Sequence, residues 1–344
     1  MRNTGNITLA TLAKKLNVTT TTVSKALRGK PGIGPEMVRK VQDLARELNY
    51  QPNFAAQSLK KQSSDSIGLL ITSDITNPWY AQLVSCIESE LASRGKTMIL
   101  SLGKNDDEKE RKCLEAFRGG RVGGVIVGPI FRKRNLENIW HFFNTGIPMV
   151  LFNCMDEMPV NYVAIDQSHG AKIAIEYLIK MGHRNIAYHG CPSGDCVEVG
   201  KSRKEGYMQA LFENDIPLAG KNITTGFSGK TGSYKAMKEM LKNRGKDFPT
   251  AFFCHNDEVA LGAMLAIQQA GLSVPGDISL VGFDDIEESI LTMPQLTTVG
   301  GVMLPLASGL VETIHDIIEE KPEKSIKKFI TPEFIERKSV KKII

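Results

Sequence analysis

The sequence predicts a small all-α head joined to a two-lobed α/β body, in which parallel sheets carry helices on both faces. Three observations point there. Residues 8–48 place apolar side chains at helical spacing, whereas from Ile67 onward short apolar runs alternate with helical segments. That alternation occurs twice, over roughly 67–165 and 166–295. Charge divides near the same place. Residues 1–62 hold eleven Lys and Arg against three acids, a net of +8, so the rest of a chain whose total is +5 carries −3.

In the head, TLATLAKKL sets Leu9, Leu12, Ala13 and Leu16 on one face of a first helix. Asn17 follows, a residue that tolerates the left-handed conformation of a tight turn. VTTTTVSKAL then makes a second helix, with Val23, Ala26 and Leu27 on one face and Thr20, Thr21, Ser24, Lys25 and Arg28 on the others. Thr19 is placed to cap it by accepting from backbone N–H groups of the first turn. Threonine, branched at Cβ, fills an exposed helix poorly, so four in a row point to a use for their hydroxyls and methyls. Two short helices, a tight turn, and a second helix armed with hydroxyls and cations form a helix-turn-helix suited to the DNA major groove. A solvated helical hairpin is the plainer reading of these residues alone. The basic charge of the segment favours DNA.

RGKPGIG is a loop, and Pro35 opens a third helix where its missing N–H is no loss. Val38, Val41, Leu44, Ala45 and Leu48 form that helix's apolar face. Gln51, held extended by Pro52, ends the head. Asn53 is placed to cap a short helix running through Leu59, too short to stand alone, and residues 62–66 read as a linker.

In the body, IGLLI, TMILSL, VGGVIVG, PMVLFN and YVAID read as strands of one series, and IAYHG, AFFCHND and ISLVGFDD as strands of the next. TTVGGVMLPLASGLVETIHDII adds a strand and a helix, and FITPEFIERKSV reads as a terminal strand pair. Open sheets of this kind bind ligands beyond the carboxyl ends of their strands, which for two lobes is the cleft between them.

Several classes are disfavoured. No run is apolar enough to span a membrane, and the amino-terminal residues lack a secretory h-region, so the chain is expected in the cytoplasm. Six scattered cysteines read as free thiols. There is no phosphate loop, no nucleophile elbow and no metal-spaced cluster, so neither an enzyme nor a cofactor is expected. Asp257 and Asp284 would suit an acid–base pair, but polar recognition of a sugar uses the same residues.

The segments LATLAKKLNVTTTTVSKAL, VRKVQDLARELNYQPNFAAQSL, MGHRNIAY, HNDEVALGAMLAIQQAGLSVPGDISLVGFDD and PQLTTV resemble, in this order, the lactose-repressor and galactose-repressor family of bacterial regulators. The resemblance implies a homodimer that reads a pseudo-palindromic operator in double-stranded DNA. It also implies a body similar to periplasmic sugar-binding proteins, with a small-molecule effector, a sugar or sugar derivative, in the cleft. By this resemblance Thr20, Thr21 and Lys25 face base edges, and Thr19, Thr22, Ser24 and Arg28 position the backbone. Asn53, Gln57 and Leu59 belong to a hinge helix whose leucine wedges into the minor groove. In the body, Asp74, Asn77, Trp79, Tyr80, Asn153, Arg203, Phe227, Asn256, Asp257 and Asp284 match cleft positions.

The implied domains are a helix-turn-helix head (1–50), a hinge helix and linker (51–66), and an effector-binding and dimerisation body (67–344). The first lobe takes about 67–165 plus 296–325, the second about 166–295 plus 326–344. The sequence departs from many relatives at Gly300 and Gly301 and from some at Gly128, which is expected to enlarge the pocket or remove a donor. A repressor is the expected function. An effector-dependent activator, or a co-repressor-type regulator of non-sugar metabolism, stays open.

Overall fold

The computed structural model describes residues 7–27, 29–48, 50, 64–120, 122–128, 133–152, 158–190, 197–227 and 229–343. The chain forms two compact units, one through Ser64 and one from Asp65.

In the first unit α1 (Leu9–Leu16) starts at Thr8, whose hydroxyl accepts from the Thr11 N–H at 3.2 Å while the Thr11 hydroxyl accepts from the Thr8 N–H at 3.3 Å. This reciprocal cap satisfies two orphan donors. α1 ends on Asn17 at φ 52°, the left-handed residue the turn requires. α2 (Thr20–Leu27) follows, and α3 (Pro35–Glu47) opens on Pro35 with Glu36 in its first turn. Leu12, Ala13, Val23, Ala26, Val41 and Ala45 form the core, with Val38, Leu44, Leu48 and Tyr50 packed around it.

The second unit begins with β1 (Ser66–Ile71), α4 (Pro78–Ser93), β2 (Thr97–Leu102), α5 (Asp107–Gly120), β3 (Gly124–Gly128), α6 (Lys133–Phe143), β4 (Met149–Leu151) and β5 (Asn161–Ile165). It continues with α7 (Gln167–Lys180), β6 (Ile186–His189), α8 (Val197–Glu213), β7 (Ile223–Thr224), α9 (Gly229–Lys242), β8 (Ala251–Cys254), α10 (Asp257–Gln269) and β9 (Ser279–Val281). It closes with α11 (Glu288–Leu291), β10 (Thr298–Gly300), α12 (Met303–Glu319), β11 (Lys327–Ile330) and β12 (Glu333–Ile335).

The first lobe is a six-stranded parallel sheet in the order β11-β5-β4-β3-β1-β2, with Ile67 opposite both Met98 and Gly124. Its strands β1, β3 and β4 are nearly unbroken apolar runs because both faces are covered, whereas the edge strands β2 and β11 are partly exposed. Ile67, Leu69 and Ile71 face α4 and α12, while Leu70, Val125 and Val127 face α5 and α6. The second lobe is a four-stranded parallel sheet in the order β7-β6-β8-β9. α7 packs on α8, and α9 on α10.

The carboxyl-terminal strands differ from the expected pair. β11 joins the first lobe beside β5, and β12 pairs antiparallel with β10 instead. Thr331 and buried Pro332 separate them. Proline holds the residue before it extended, so the chain runs on from one lobe to the other rather than turning back. Residues 327–330 therefore belong to the first lobe, not the second. The following residues return to the second lobe, where the Ser339 hydroxyl donates to Leu280 O at 2.6 Å.

The contact of α9 with α10 depends on Gly262, because a Cβ there would lie 2.1 Å from the Lys230 carbonyl oxygen. Gly262→Ala is expected to lower the unfolding free energy of the body by roughly 2 kcal/mol. Gly245→Ala, at a position with nothing within 4 Å of the added carbon, should shift it by less than about 0.5 kcal/mol. Urea unfolding monitored by tryptophan emission checks the pair, and equal effects would contradict the packing assignment.

Candidate functional site

In the head, Thr20, Thr21 and Lys25 are exposed on the side of α2 opposite buried Val23 and Ala26. Thr22 and Ser24 are half-buried at the margin. Thr19 caps the helix: its hydroxyl accepts from the Thr22 N–H at 3.1 Å and lies 2.9 Å from the Thr22 hydroxyl. The helix thus spends two hydroxyls on its own start and turns two threonines and a cation outward. Arg28, Asn53, Gln57, Leu59 and, in the body, Asn153 lie outside the described residues.

The body's polar centre is Arg203 on α8, 4% exposed. Its Nε donates to Gln167 Oε1 at 2.7 Å, Nη1 to the His255 carbonyl, and Nη2 to Asp284 Oδ1 at 3.0 Å. The guanidinium lies 3.6 Å over the Phe283 ring. Each of the three guanidinium nitrogens donates to an acceptor and its face meets an aromatic ring, which suits a buried cation. Gln167, His255 and Phe283 were not singled out in the sequence. His255 and Phe283 fall within the motifs quoted there, but a backbone acceptor and a ring face leave no residue-type signal.

Asp257 was expected to face the ligand and does not. It is wholly buried beneath the loop that follows β9. One carboxylate oxygen accepts from the Ile286 N–H at 3.0 Å and the Ser289 hydroxyl at 2.7 Å, the other from the Thr298 hydroxyl at 2.5 Å. Gly282 leaves room for it, since a Cβ there would lie 2.0 Å from the carboxylate. Asp257 is a clamp on the loop, not a wall of the cleft. Asn256 caps α10 by accepting from the Val259 N–H at 2.9 Å.

On the first lobe's side, Asn77 caps α4 by accepting from the Trp79 N–H at 2.9 Å. Trp79 and Tyr80 meet edge to face at 5.0 Å, and the Ser73 hydroxyl donates to the Tyr80 oxygen at 2.9 Å. The Trp79 Nε1 is buried without a hydrogen-bond partner among the described residues. Asp74 is exposed, and bonds from Thr76 hold its carboxyl below the usual range. The two sides feel each other at Glu258, which burial raises and Lys230 lowers, with Asp284, Glu288 and Asp74 adding like charge. Phe227 lies on His189 at 4.5 Å, within the second lobe's packing. Burial pushes that histidine down to about 4, so it is neutral.

Two of the glycines expected to widen the pocket, Gly128 and Gly300, are instead covered, while Gly301 is exposed. A Cβ at Gly128 would stand 1.9 Å from the Phe152 ring, and one at Gly300 would stand 2.2 Å from Asp285 Cβ. Phe152 and Asp285 occupy that space, and Asp285 is tied there by Arg337. At Gly301 a Cβ would lie 3.3 Å from the Glu333 carboxylate. Among the described residues no group of His, Cys, Asp and Glu is placed to hold a metal ion, and no helix is long and apolar enough to cross a membrane.

Bacterial regulatory proteins of the lacI family match residues 8–53, and the periplasmic binding proteins and sugar binding domain of the LacI family match residues 64–338. The HTH-type transcriptional repressor PurR of Pasteurella multocida is 33% identical over 340 residues, covering 97% of this chain and 98% of that one. A crystal structure of the lac repressor dimer bound to operator and the anti-inducer ONPF is 26% identical with a TM-score of 0.88, covering 98% of this chain and all of that one. A LacI family transcriptional regulator from Enterococcus faecium with bound ribose is also 26% identical, with a TM-score of 0.69, and covers 81% of this chain and 100% of that one.

Burial, with the charge of Asp284 added, raises Asp257 from 3.8 to about 7 against the pull of its three donors. Between pH 3.8 and about 7 the folded chain therefore holds a proton there that the unfolded chain has released. The stabilising contribution of this group is full below pH 3.8 and is lost as pH rises to about 7. Relative to Asp257→Asn, which does not titrate, the wild type should lose unfolding free energy across that window. Parallel pH profiles for the two proteins in urea unfolding would contradict this.

Proposed function

The chain belongs to the LacI family of bacterial regulatory proteins, and from that premise we propose that it is a sequence-specific transcriptional regulator of the repressor kind. It binds a pseudo-palindromic operator as a homodimer and responds to a sugar or sugar derivative held between the lobes of its body. One observation carries the reading: a chain whose head turns Thr20, Thr21 and Lys25 outward on a capped helix also buries a hydrogen-bonded arginine beyond the carboxyl ends of β8 and β9 in its second lobe.

For DNA, the +8 head supplies the sequence-independent attraction to phosphate. Threonine methyl and hydroxyl groups and the Lys25 ammonium read base edges. Asn53, Gln57 and Leu59 are assigned to the hinge, with Leu59 as the wedge at the operator centre. Dimerisation is supported by Leu265, exposed on α10, and by Ile290, Leu291 and Met293, exposed on α11 and just past its end. Gln268 ties these two parts together by donating to Met293 O at 2.9 Å. Such exposed apolar residues suit a face covered by a second copy.

For the effector, Arg203 and Asp284 form a donor–acceptor pair matched to vicinal hydroxyls, and Trp79 adds an apolar ring whose N–H has no partner among the described residues. An effector acts by preferring one arrangement of the lobes over another. A binding role is favoured over an enzymatic one because Asp257 is sealed away from Asp284's side of the loop, so the two carboxylates do not flank one reacting position. The cytoplasm is the assigned compartment.

Two outcomes test this. Lys25→Ala and Thr21→Ala should each cost about 1–3 kcal/mol of operator affinity and relax base preference at their positions. Footprinting checks them, and unchanged protection in both would exclude α2 as the reader. Arg203→Ala should retain operator binding and lose effector response, with calorimetry against the monosaccharide found to bind the wild type. Undiminished affinity would exclude the cleft assignment.

A further inference from the structure

Arg203 is held by a residue on the segment that passes between the lobes. β5 ends at Ile165, and the Asp166 N–H donates to Ile330 O at 2.9 Å, at the end of the first lobe's edge strand. The Asp166 carboxylate then caps α7, accepting from the His169 N–H at 3.0 Å. Gln167 is the next residue, the first of α7, and is 9% exposed. One turn on, Gly170 lets α7 sit close against both the second lobe's loop and the crossing. A Cβ there would lie 2.7 Å from the Phe283 ring and 2.8 Å from Pro332. The first turn of α7 is thus fixed from both sides, and the Gln167 side chain reaches from it to Arg203 Nε at 2.7 Å.

The acceptors around Arg203 are not equivalent. Asp284 carries a full charge and neutralises the guanidinium it binds. The His255 carbonyl and the Gln167 amide orient it without cancelling its charge. An effector oxygen that takes Asp284's place at Nη2 would leave Arg203 held by those two alone, and Gln167 is the one that grips Nε and so sets the plane of the fork. Resting on the reading of Arg203 as an effector contact, we propose that Gln167 is the positioning residue for this arginine: its amide oxygen fixes the guanidinium plane from the crossing segment and presents the Nη2 edge to the effector.

The test uses the full-length protein with ¹⁵N-labelled arginine on a deuterated background, as wild type, Gln167→Ala and Gln167→Glu. In the wild type the Arg203 Nε–H should exchange slowly with solvent. Gln167→Ala should speed that exchange at least tenfold, and Gln167→Glu, which keeps an acceptor oxygen, should restore it. Calorimetry with D-ribose, D-glucose, D-galactose and their uronates should show Gln167→Ala weakening the bound sugar by about 10- to 100-fold, and Gln167→Glu by less than about threefold. Should Gln167→Ala fail to fold, Gln167→Asn withdraws the oxygen by one methylene with the same expected result. Unchanged Nε–H exchange without the acceptor, or equal impairment by Gln167→Ala and Gln167→Glu, would overturn the assignment. Binding of none of these sugars to the wild type would instead overturn the sugar reading of the cleft, while the exchange rates still decide whether Gln167 positions Arg203.

Discussion

A guanidinium taken out of water is stable only where its charge is paired and its N–H groups find acceptors. Arg203 meets that requirement with groups from separate parts of the chain: the start of α7, the end of β8 and the loop after β9. Much of the body's local geometry follows from it. To bring Asp284 and Phe283 to the arginine, the loop after β9 places Asp284 at φ 113° and Asp285 at φ 56°. Non-glycine residues in that region cost about 1–3 kcal/mol each. Other anchors offset this: Asp257 gathers Ile286 and Ser289 from below, and Arg337 holds Asp285 from the carboxyl-terminal segment. A conformation that would not persist alone is thereby over-determined by its surroundings.

The head solves a different problem with local means. Its helices are too short to stand without tertiary contact, and among the described residues they close a core of six buried side chains. Threonine hydroxyls cap both α1 and α2, so polar side chains that would otherwise compete with the helix start it. That economy frees the outer face of α2 for recognition and lets a residue type with poor helix propensity be used there without loss of the fold.

The head was legible because its signals are local: caps, an asparagine turn, a proline at a first helical position and apolar residues at helical spacing. The sheets were legible because strands buried on both faces read as continuous apolar runs. Side-chain direction was not. HND reads the same whether Asp257 faces ligand or core, and only Ile286, Ser289 and Thr298, distant in sequence, turn it inward. Gly128 and Gly300 looked like space because their occupants, Phe152 and Asp285, come from other strands and loops. Gln167 carries no motif, and a glutamine in a first helical turn is unremarkable until its partner is known. The fate of β11 and β12 rested on Pro332 carrying the chain between lobes, which a terminal strand–turn–strand pattern conceals.

The operator-reading head and the effector cleft belong to one chain, and effector control of operator binding requires that they be linked. Linkage is reciprocal in binding free energy, so it is measured most directly by titrating the effector into the full-length dimer with and without saturating operator duplex. Operator is expected to change effector affinity by the same factor by which effector changes operator affinity. Identical effector affinities in the two titrations would show that the head and the cleft act independently, and would contradict that linkage.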